Sequence, residues 1–304
     1  MLTINPSLQR TPQRIVCLVP SLTEALFAFG LGGAIVGITD YCVEPQPQVR
    51  KKATMGGTKN PDVEAILRLA PDLVVANVEE NRREDVERLQ GHGVPVFICF
   101  PCTVIEAIAT LRTLAQTTGA ELQASPVLAR IESTYEKTKA LIMGRRKVRV
   151  FCPIWKFPWM TINRDTFIHD MIETCGGTNV FAGRERRFPL AADLGQQAEW
   201  ETTCATGRDR RYPRISLNEV AGLMPEVILL PDEPYPFSDA DRAEFAGFPL
   251  IPAVRDGRIH VIDGKTVCWY WSRLDESLRV LSGLLISKHS SPPGLPAGIH
   301  PRRG

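Results

Sequence analysis

The chain has no strong charge of either sign. Its 36 Lys and Arg against 34 Asp and Glu leave +2 with histidine neutral, so no long-range field draws it to nucleic acid or to an anionic membrane. Nothing in it reads as a zinc finger, a basic recognition helix or an aromatic-basic RNA patch. No apolar run is long enough to cross a bilayer. The opening segment, Met1 to Arg10, lacks a basic stretch followed by an apolar core and a small-residue cleavage site, so a cytoplasmic location is the expectation. Enzyme signatures are missing too. There is no G-x-S-x-G elbow and no Walker A sequence, and Gly30-Leu31-Gly32-Gly33 follows a helical stretch instead of opening one, which makes it a helix stop. The five histidines, at 92, 169, 260, 289 and 300, have no metal-ligand spacing.

Cysteine is present without the look of a disulfide framework. Of the eight, Cys17, Cys99 and Cys152 fall inside apolar strands, where a free thiol packs as a small hydrophobe, and this fits a reducing compartment. Cys99-Phe100-Pro101-Cys102 is a C-x-x-C whose second thiol precedes a helix. Without the rest of a thioredoxin pattern it reads as packing.

With 304 residues, 44% hydrophobic and 23% charged, the chain is globular and long enough for two domains. One pattern occurs twice. Asn60-Pro61-Asp62 to Leu73-Val74-Val75 and Ile215-Ser216-Leu217 to Ile228-Leu229-Leu230 each read as a capped short helix, a proline-acid turn and a buried strand. Asn60 is expected to cap with Pro61 at the first helical position, and Ser216 with Glu219 to form a capping box. Two such units far apart point to two similar lobes with a cleft between them, and a cleft is where a ligand goes. Around the first unit lie strands 14–19, 34–39 and 94–99 and helices capped by Ser21 with Glu24 and by Thr103 with Glu106. The lobe reads as a parallel sheet with covering helices. An unbroken helical stretch from Pro126 to Met143, with Ser125 as cap, carries an apolar stripe of Leu128, Ile131, Tyr135 and Leu141. The second lobe runs from strand 148–152 to a last helix from about Ser272 to Leu285. It includes an arginine-rich surface insertion, 183–211. The expected division is 1–124, 125–145, 146–288 and a disordered tail, 289–304.

Several segments together resemble the substrate-binding proteins of ABC importers for cobalamin and ferric siderophores. They are Arg14 to Glu24, Val36 to Tyr41, Leu69 to Val74, Gly176-Gly177-Thr178-Asn179-Val180-Phe181 and Met224 to Ile228. The resemblance spans roughly Arg14 to Ile286. It implies an α/β fold of two lobes with parallel sheets joined by a single long backbone helix, working as a monomer that does no chemistry on its ligand. Tyr41, the Trp155 to Trp159 loop and the Asp263 to Trp271 segment look most like the cobalamin-binding branch. Unlike that branch, the chain has no tryptophan near Thr54 to Gly57. The resemblance also implies that one acidic residue per lobe, Glu64 and Glu219, docks on an ABC permease. The other reading of these two is as solvated helix carboxylates, and Glu219 already serves the capping box.

A corrinoid is large, flat and mostly apolar, with amides around its rim, so aromatic faces and a few rim hydrogen bonds would hold it. The chain places Tyr41, Trp155, Phe157, Trp159, Tyr235, Trp269, Tyr270 and Trp271 next to expected strand ends, which face the crevice of an open parallel sheet. Each one singly could instead pack a lobe core. For Trp269-Tyr270-Trp271 together the site is favoured, because consecutive positions of a regular element cannot all face one core. Asp263 and Arg273 bracket this triplet as candidate partners for ligand amides, with a surface ion pair or a helix cap favoured for Arg273. The ligand expected is a corrinoid. A ferric siderophore or haem, or a cytoplasmic corrinoid-handling factor or enzyme on the same scaffold, are the alternatives.

Overall fold

The computed structural model describes residues 2–200 and 207–286. The expected tail 289–304, Glu201 and Cys204 lie outside the described residues. Near-continuous Val, Ile and Leu runs make the strands, because both faces of each sheet are covered. The first lobe holds β1 (Leu2–Ile4), β2 (Ile15–Cys17), α1 (Pro20–Ala28), β3 (Ile35–Ile38), β4 (Ala53–Thr54), β5 (Gly56–Gly57), β6 (Asn60–Pro61), α2 (Val63–Arg68), β7 (Leu73–Asn77), α3 (Arg83–Gly91), β8 (Val96–Phe100) and α4 (Val104–Thr117). Its six-stranded sheet has the order β1-β8-β7-β2-β3-β4. All its pairings are parallel except β1 on β8, an antiparallel edge that the sequence reading did not foresee.

Helix α5 (Glu121–Ile142) follows. The second lobe holds β9 (Val148–Phe151), β10 (Pro153–Trp155), β11 (Met160–Thr161), α6 (Phe167–Thr174), β12 (Gly177–Asn179), α7 (Leu217–Leu223), β13 (Val227–Pro231), α8 (Pro252–Arg255), β14 (Ile259–Ile262), α9 (Lys265–Cys268) and α10 (Leu274–Ile286). Its parallel sheet has the order β12-β9-β13-β14. The chain is therefore an α/β fold of two lobes with parallel sheets. The period of two along each strand divides the interior. Ile15, Cys17, Leu73 and Val75 of the first sheet share one continuous core with Val150, Val227 and Leu229 of the second. Val16, Val74 and Ala76 face a separate cluster on the far side of the first lobe, and Phe151, Ile228 and Leu230 one on the far side of the second. Among the described residues no helix is long and apolar enough to cross a membrane.

Four helix starts differ from the sequence reading, each for a local reason. Pro20 takes the first position of α1, so Val19 is the cap and no side chain caps it. Ser21 is buried inside the helix, and Glu24 is drawn away to Arg273. Asn60 and Pro61 pair in a short antiparallel bridge with Gly57 and Gly56, which moves the cap of α2 to Asp62, whose carboxylate accepts from Ala65 N at 2.9 Å. Helix α3, which the sequence pattern places over Asn81 to Gln90, starts at Arg83, because Asn81 is spent on Asn77 N, Leu18 O and Thr58 O. Helix α5 starts at Glu121, a full turn before Ser125, and carries Pro126 inside it. The Ser216–Glu219 capping box is present as expected, and Thr103 caps α4 by accepting from Glu106 N at 3.2 Å.

Candidate ligand-binding site

The loops at the carboxyl ends of both sheets meet between the lobes. After β7, Asn77 Oδ1 accepts from Glu79 N at 2.7 Å and Glu80 N at 3.2 Å, which fixes the two carboxylates at the strand end. Glu79 receives the Tyr212 hydroxyl and lies 3.3 Å from Arg211 Nη1 of the second lobe. The Tyr270 hydroxyl donates to Glu80 Oε1 at 3.4 Å. Arg273 donates to both oxygens of Glu24 at 2.7 and 3.1 Å. Behind these, Asp170 accepts from Val104 N at 2.7 Å. The lobes are thus joined by charged pairs at the level of the strand ends.

Burial controls the acids of this floor. It pushes the Glu80 carboxyl up to about 8, with neighbouring Glu79 adding to the effect. Burial also raises Glu79 and Glu24, against the pull of Arg211 and of Arg273 respectively. Burial beside Glu80 lifts the Tyr270 phenol well above its ordinary value.

The second lobe supplies a set of aromatic rings. Trp155, at the end of β10, meets Tyr235 edge-on at 5.6 Å. Tyr235 lies 4.6 Å from Phe237, and Phe237 stacks on Trp159 at 5.7 Å and 14°. The sequence reading named Trp155, Trp159 and Tyr235, and the structure brings them together through Phe237. Phe157 is 76% exposed, with a left-handed backbone at φ 63°. That conformation is costly for a bulky residue and is found at functional sites more than elsewhere. Lys156 lies under the loop, 4.9 Å from the Phe157 ring centroid and 5.9 Å from that of Trp159. Burial opposes its charge, but Asp241 at 2.8 Å and Glu244 at 2.7 Å outweigh it and hold the ammonium pKa above its usual value.

In the first lobe Tyr41 is 63% exposed at the end of β3. Its ring passes over Gly57, where an added Cβ would lie 3.5 Å from the ring and 2.4 Å from Asn60 Oδ1. Among the described residues Tyr41 makes no ring contact with the aromatics of the second lobe.

Trp269, Tyr270 and Trp271 are all buried, at 9, 6 and 4% exposure. The reasoning that consecutive residues cannot all turn inward fails here because the three lie between α9 and α10, outside any regular element. Trp269 Nε1 donates to Glu233 Oε2 at 3.1 Å, and its ring meets Trp271 at 4.8 Å. Tyr270 packs on Phe167 and reaches Glu80. Trp271 lies under the Arg273 guanidinium at 4.4 Å. Asp263 Oδ1 accepts from Lys265 N at 2.9 Å and shapes the turn into α9. Next to it, Gly264 N donates to Asp232 Oδ1 at 2.7 Å, and only glycine allows this approach, since a Cβ would lie 2.6 Å from that of Glu233.

Glu64 pairs with Arg88, and Glu219 serves the capping box and lies 3.7 Å from Arg184 Nε. The C-x-x-C thiols are free, and burial pushes Cys99 up to about 12 and raises Cys102, the opposite of an activated thiolate. Among the described residues no group of His, Cys, Asp and Glu is arranged to hold a metal ion. Glu79, Glu80 and Tyr212 went unnamed in the sequence reading. The rule that nominated Tyr41, a polar or aromatic residue just past a buried strand, applies equally to Val78-Glu79-Glu80-Asn81 and would have found the first two.

The family model for periplasmic binding proteins matches residues 15–266. The chain belongs to this family. A vitamin B12-binding protein of Salmonella typhimurium is 31% identical over 189 residues, 62% of this chain and 70% of that protein. Among solved structures, the periplasmic vitamin B12-binding protein BtuF of Vibrio cholerae superposes with a TM-score of 0.73 at 19% identity, covering 90% of this chain and 96% of that one. The periplasmic heme-binding protein RhuT of Roseiflexus sp. RS-1 superposes with a TM-score of 0.71 at 21% identity, covering 90% and 97%. At these identities the two structures speak to the shared two-lobed fold.

Proposed function

We propose that this member of the family holds a corrinoid between its lobes without altering it chemically. The observation that carries the reading is the exposed rings of Trp155 and Phe157 on strand-end loops of one lobe, with half-buried Tyr235 and Trp159 held beside them on the buried Phe237 ring, and exposed Tyr41 on a strand-end loop of the other. A flat macrocycle with an apolar face and polar rim is the ligand such a wall suits. The partly buried carboxyl groups of Glu79 and Glu80, at the end of β7, are the acceptors this reading offers to rim amides. The B12-binding relatives add support at the level of sequence. Trp269, Tyr270 and Trp271 act in this reading as the packed support of the floor, and Asp263 as the turn that positions them. Glu64 and Glu219 are the carboxylates with which a monomeric binder would meet an ABC permease.

A second reading is a haem ligand, because the exposed rings of Tyr41, Trp155 and Phe157 suit any flat macrocycle. Visible absorption titrations of the purified protein with cyanocobalamin, hemin and a ferric siderophore separate the two. Saturable one-to-one spectral change with cobalamin alone is the expected result. Saturation by hemin or the siderophore, with none by cobalamin, would overturn the corrinoid reading.

A further inference from the structure

The insertion between β12 and α7 is anchored to the second lobe, and it carries a pocket of its own. Asp193, with its side chain fully enclosed, organises it by accepting from Arg187 N at 2.5 Å, Arg214 N at 3.1 Å and Arg184 Nη1 at 3.4 Å. Around Phe188 and Trp200 lies a cavity of about 490 Å³, within the size range of small-molecule sites. Two guanidinium groups share the Phe188 ring, Arg186 at 5.4 Å and Arg208 at 5.2 Å from its centroid, and Arg208 also lies 5.2 Å from the Trp200 centroid.

The acids nearby are already committed. Asp209 lines the cavity but is clasped by Arg211, with Nη2 at 2.7 Å and Nε at 3.0 Å. Glu185 and Glu199 lie 3.3 and 3.7 Å from Arg210. Neither Arg186 nor Arg208 has a carboxylate within 4.0 Å among the described residues, and Arg186 Nε is buried without a hydrogen-bond partner. Burial lowers the pKa of Arg186, with Asp193 pulling it back.

Two cations on one ring repel each other. A half-buried guanidinium with an orphaned donor is a desolvated charge in want of an anion. Aromatic faces hold each guanidinium plane but supply no acceptor in that plane, whereas a carboxylate or phosphate accepts there in a bidentate fork. Trp200 at 40% exposure and Leu190 at 37% leave apolar surface beside the charges. We infer that this pocket is a second ligand site, separate from the cleft, which binds a small organic anion through Arg186 and Arg208 and seats its apolar body against Phe188 and Trp200.

The test uses the full chain and three probes: phenyl phosphate, benzoate and inorganic phosphate, followed by calorimetry and tryptophan fluorescence. Saturable one-to-one binding of phenyl phosphate or benzoate is expected, weakening with added salt, and inorganic phosphate should bind at least about tenfold more weakly. Arg186→Gln and Arg208→Gln should each weaken binding by about tenfold, while the cobalamin titration of the same samples is unchanged. Arg208 is exposed, so its variant keeps the test open if the Arg186 variant melts early. Absence of saturable binding by either aryl anion overturns the site, as does equal affinity in folded Arg208→Gln. Inorganic phosphate binding as tightly as phenyl phosphate overturns the apolar half of it.

Discussion

Arg14 and Arg149 hold the same station in the two lobes. Arg14 donates from Nε and Nη2 to Leu69 O at 2.9 and 2.7 Å, and Arg149 donates from the same atoms to Leu223 O at 3.2 and 2.5 Å. Each thereby satisfies a carbonyl at the end of a repeat helix, which has no partner within the helix. The next residue, Ala70 or Met224, is left-handed at φ 44° and 46°. The acid after the proline then closes the unit, Asp72 accepting from Arg14 N at 2.8 Å and Glu226 from Arg149 N at 3.0 Å. The duplicated pattern in the sequence is thus the visible part of a larger unit. Its other half, Arg14-Ile15-Val16-Cys17 and Arg149-Val150-Phe151-Cys152, lies far away in the chain.

From this, Arg14→Ala and Arg149→Ala should each cost about 1–2 kcal/mol, the range for hydrogen bonds from a charged donor reduced for exposure. Urea denaturation measures it. Ligand affinity should be unchanged in both, because the arginines lie at the starts of the strands, away from the cleft.

The aromatics divide by burial. Trp155→Ala removes a 43% exposed ring and should weaken corrinoid binding by about 1–3 kcal/mol with little loss of stability. Trp271→Ala removes a ring that is 4% exposed and roofed by Arg273, and should cost about 3–5 kcal/mol of stability. Thermal melts beside the absorption titration distinguish the two. A Trp155 variant that binds normally would place the ligand elsewhere.

How far the sequence is legible follows the range of the interactions involved. Strands, the long helix and the Ser216–Glu219 box are written in local periodicity and capping chemistry, and they stand within a few residues of where the sequence puts them. The box expected for Ser21 and Glu24 fails because its acid is claimed by Arg273, 249 residues on. Tyr212 and Tyr270 meet Glu79 and Glu80 across 133 and 190 residues. No spacing rule reaches such pairs. Position alone marks Trp159 and Tyr235, but the partner that links them, Phe237, is set by how the β13 loop folds back on the β10–β11 hairpin.

The Glu24–Arg273 pair crosses between the lobes, with Glu24 only 7% exposed. Arg273→Ala leaves a buried carboxylate without its cation and should cost about 3 kcal/mol, more than Glu24→Gln, which leaves only an exposed cation. Arg273→Lys keeps the charge but loses the two-pronged geometry and should fall between. A double-mutant cycle read by denaturant melts gives the coupling. A coupling near zero would mean that this pair adds nothing to the hold between the lobes, leaving it to the shared core and to the Glu79 and Glu80 contacts.

The acids of the floor make the inter-lobe contact sensitive to pH. The folded state holds Glu80 at about 8, above its ordinary carboxyl value, because burial and Glu79 disfavour its charge. The neutral form is therefore the one the fold accommodates. Its contribution is fully present below the ordinary carboxyl pKa and is lost as pH rises through the folded value. Glu79, Glu24 and Glu233 are raised as well, chiefly by burial, and act in the same direction, while Lys59 faces Glu80 and Arg211 faces Glu79 as opposing cations. The share of stability held by these acids should fall between about pH 5 and about pH 9, against a gain from His169 and His260, whose pKa values burial lowers. Glu80→Gln, which keeps an acceptor for the Tyr270 hydroxyl and removes the charge, should flatten that slope and melt higher at the alkaline end by roughly 2 °C. A variant whose slope matches the wild type would show that Glu80 stays ionised in the folded protein, with solvent reaching it between the lobes.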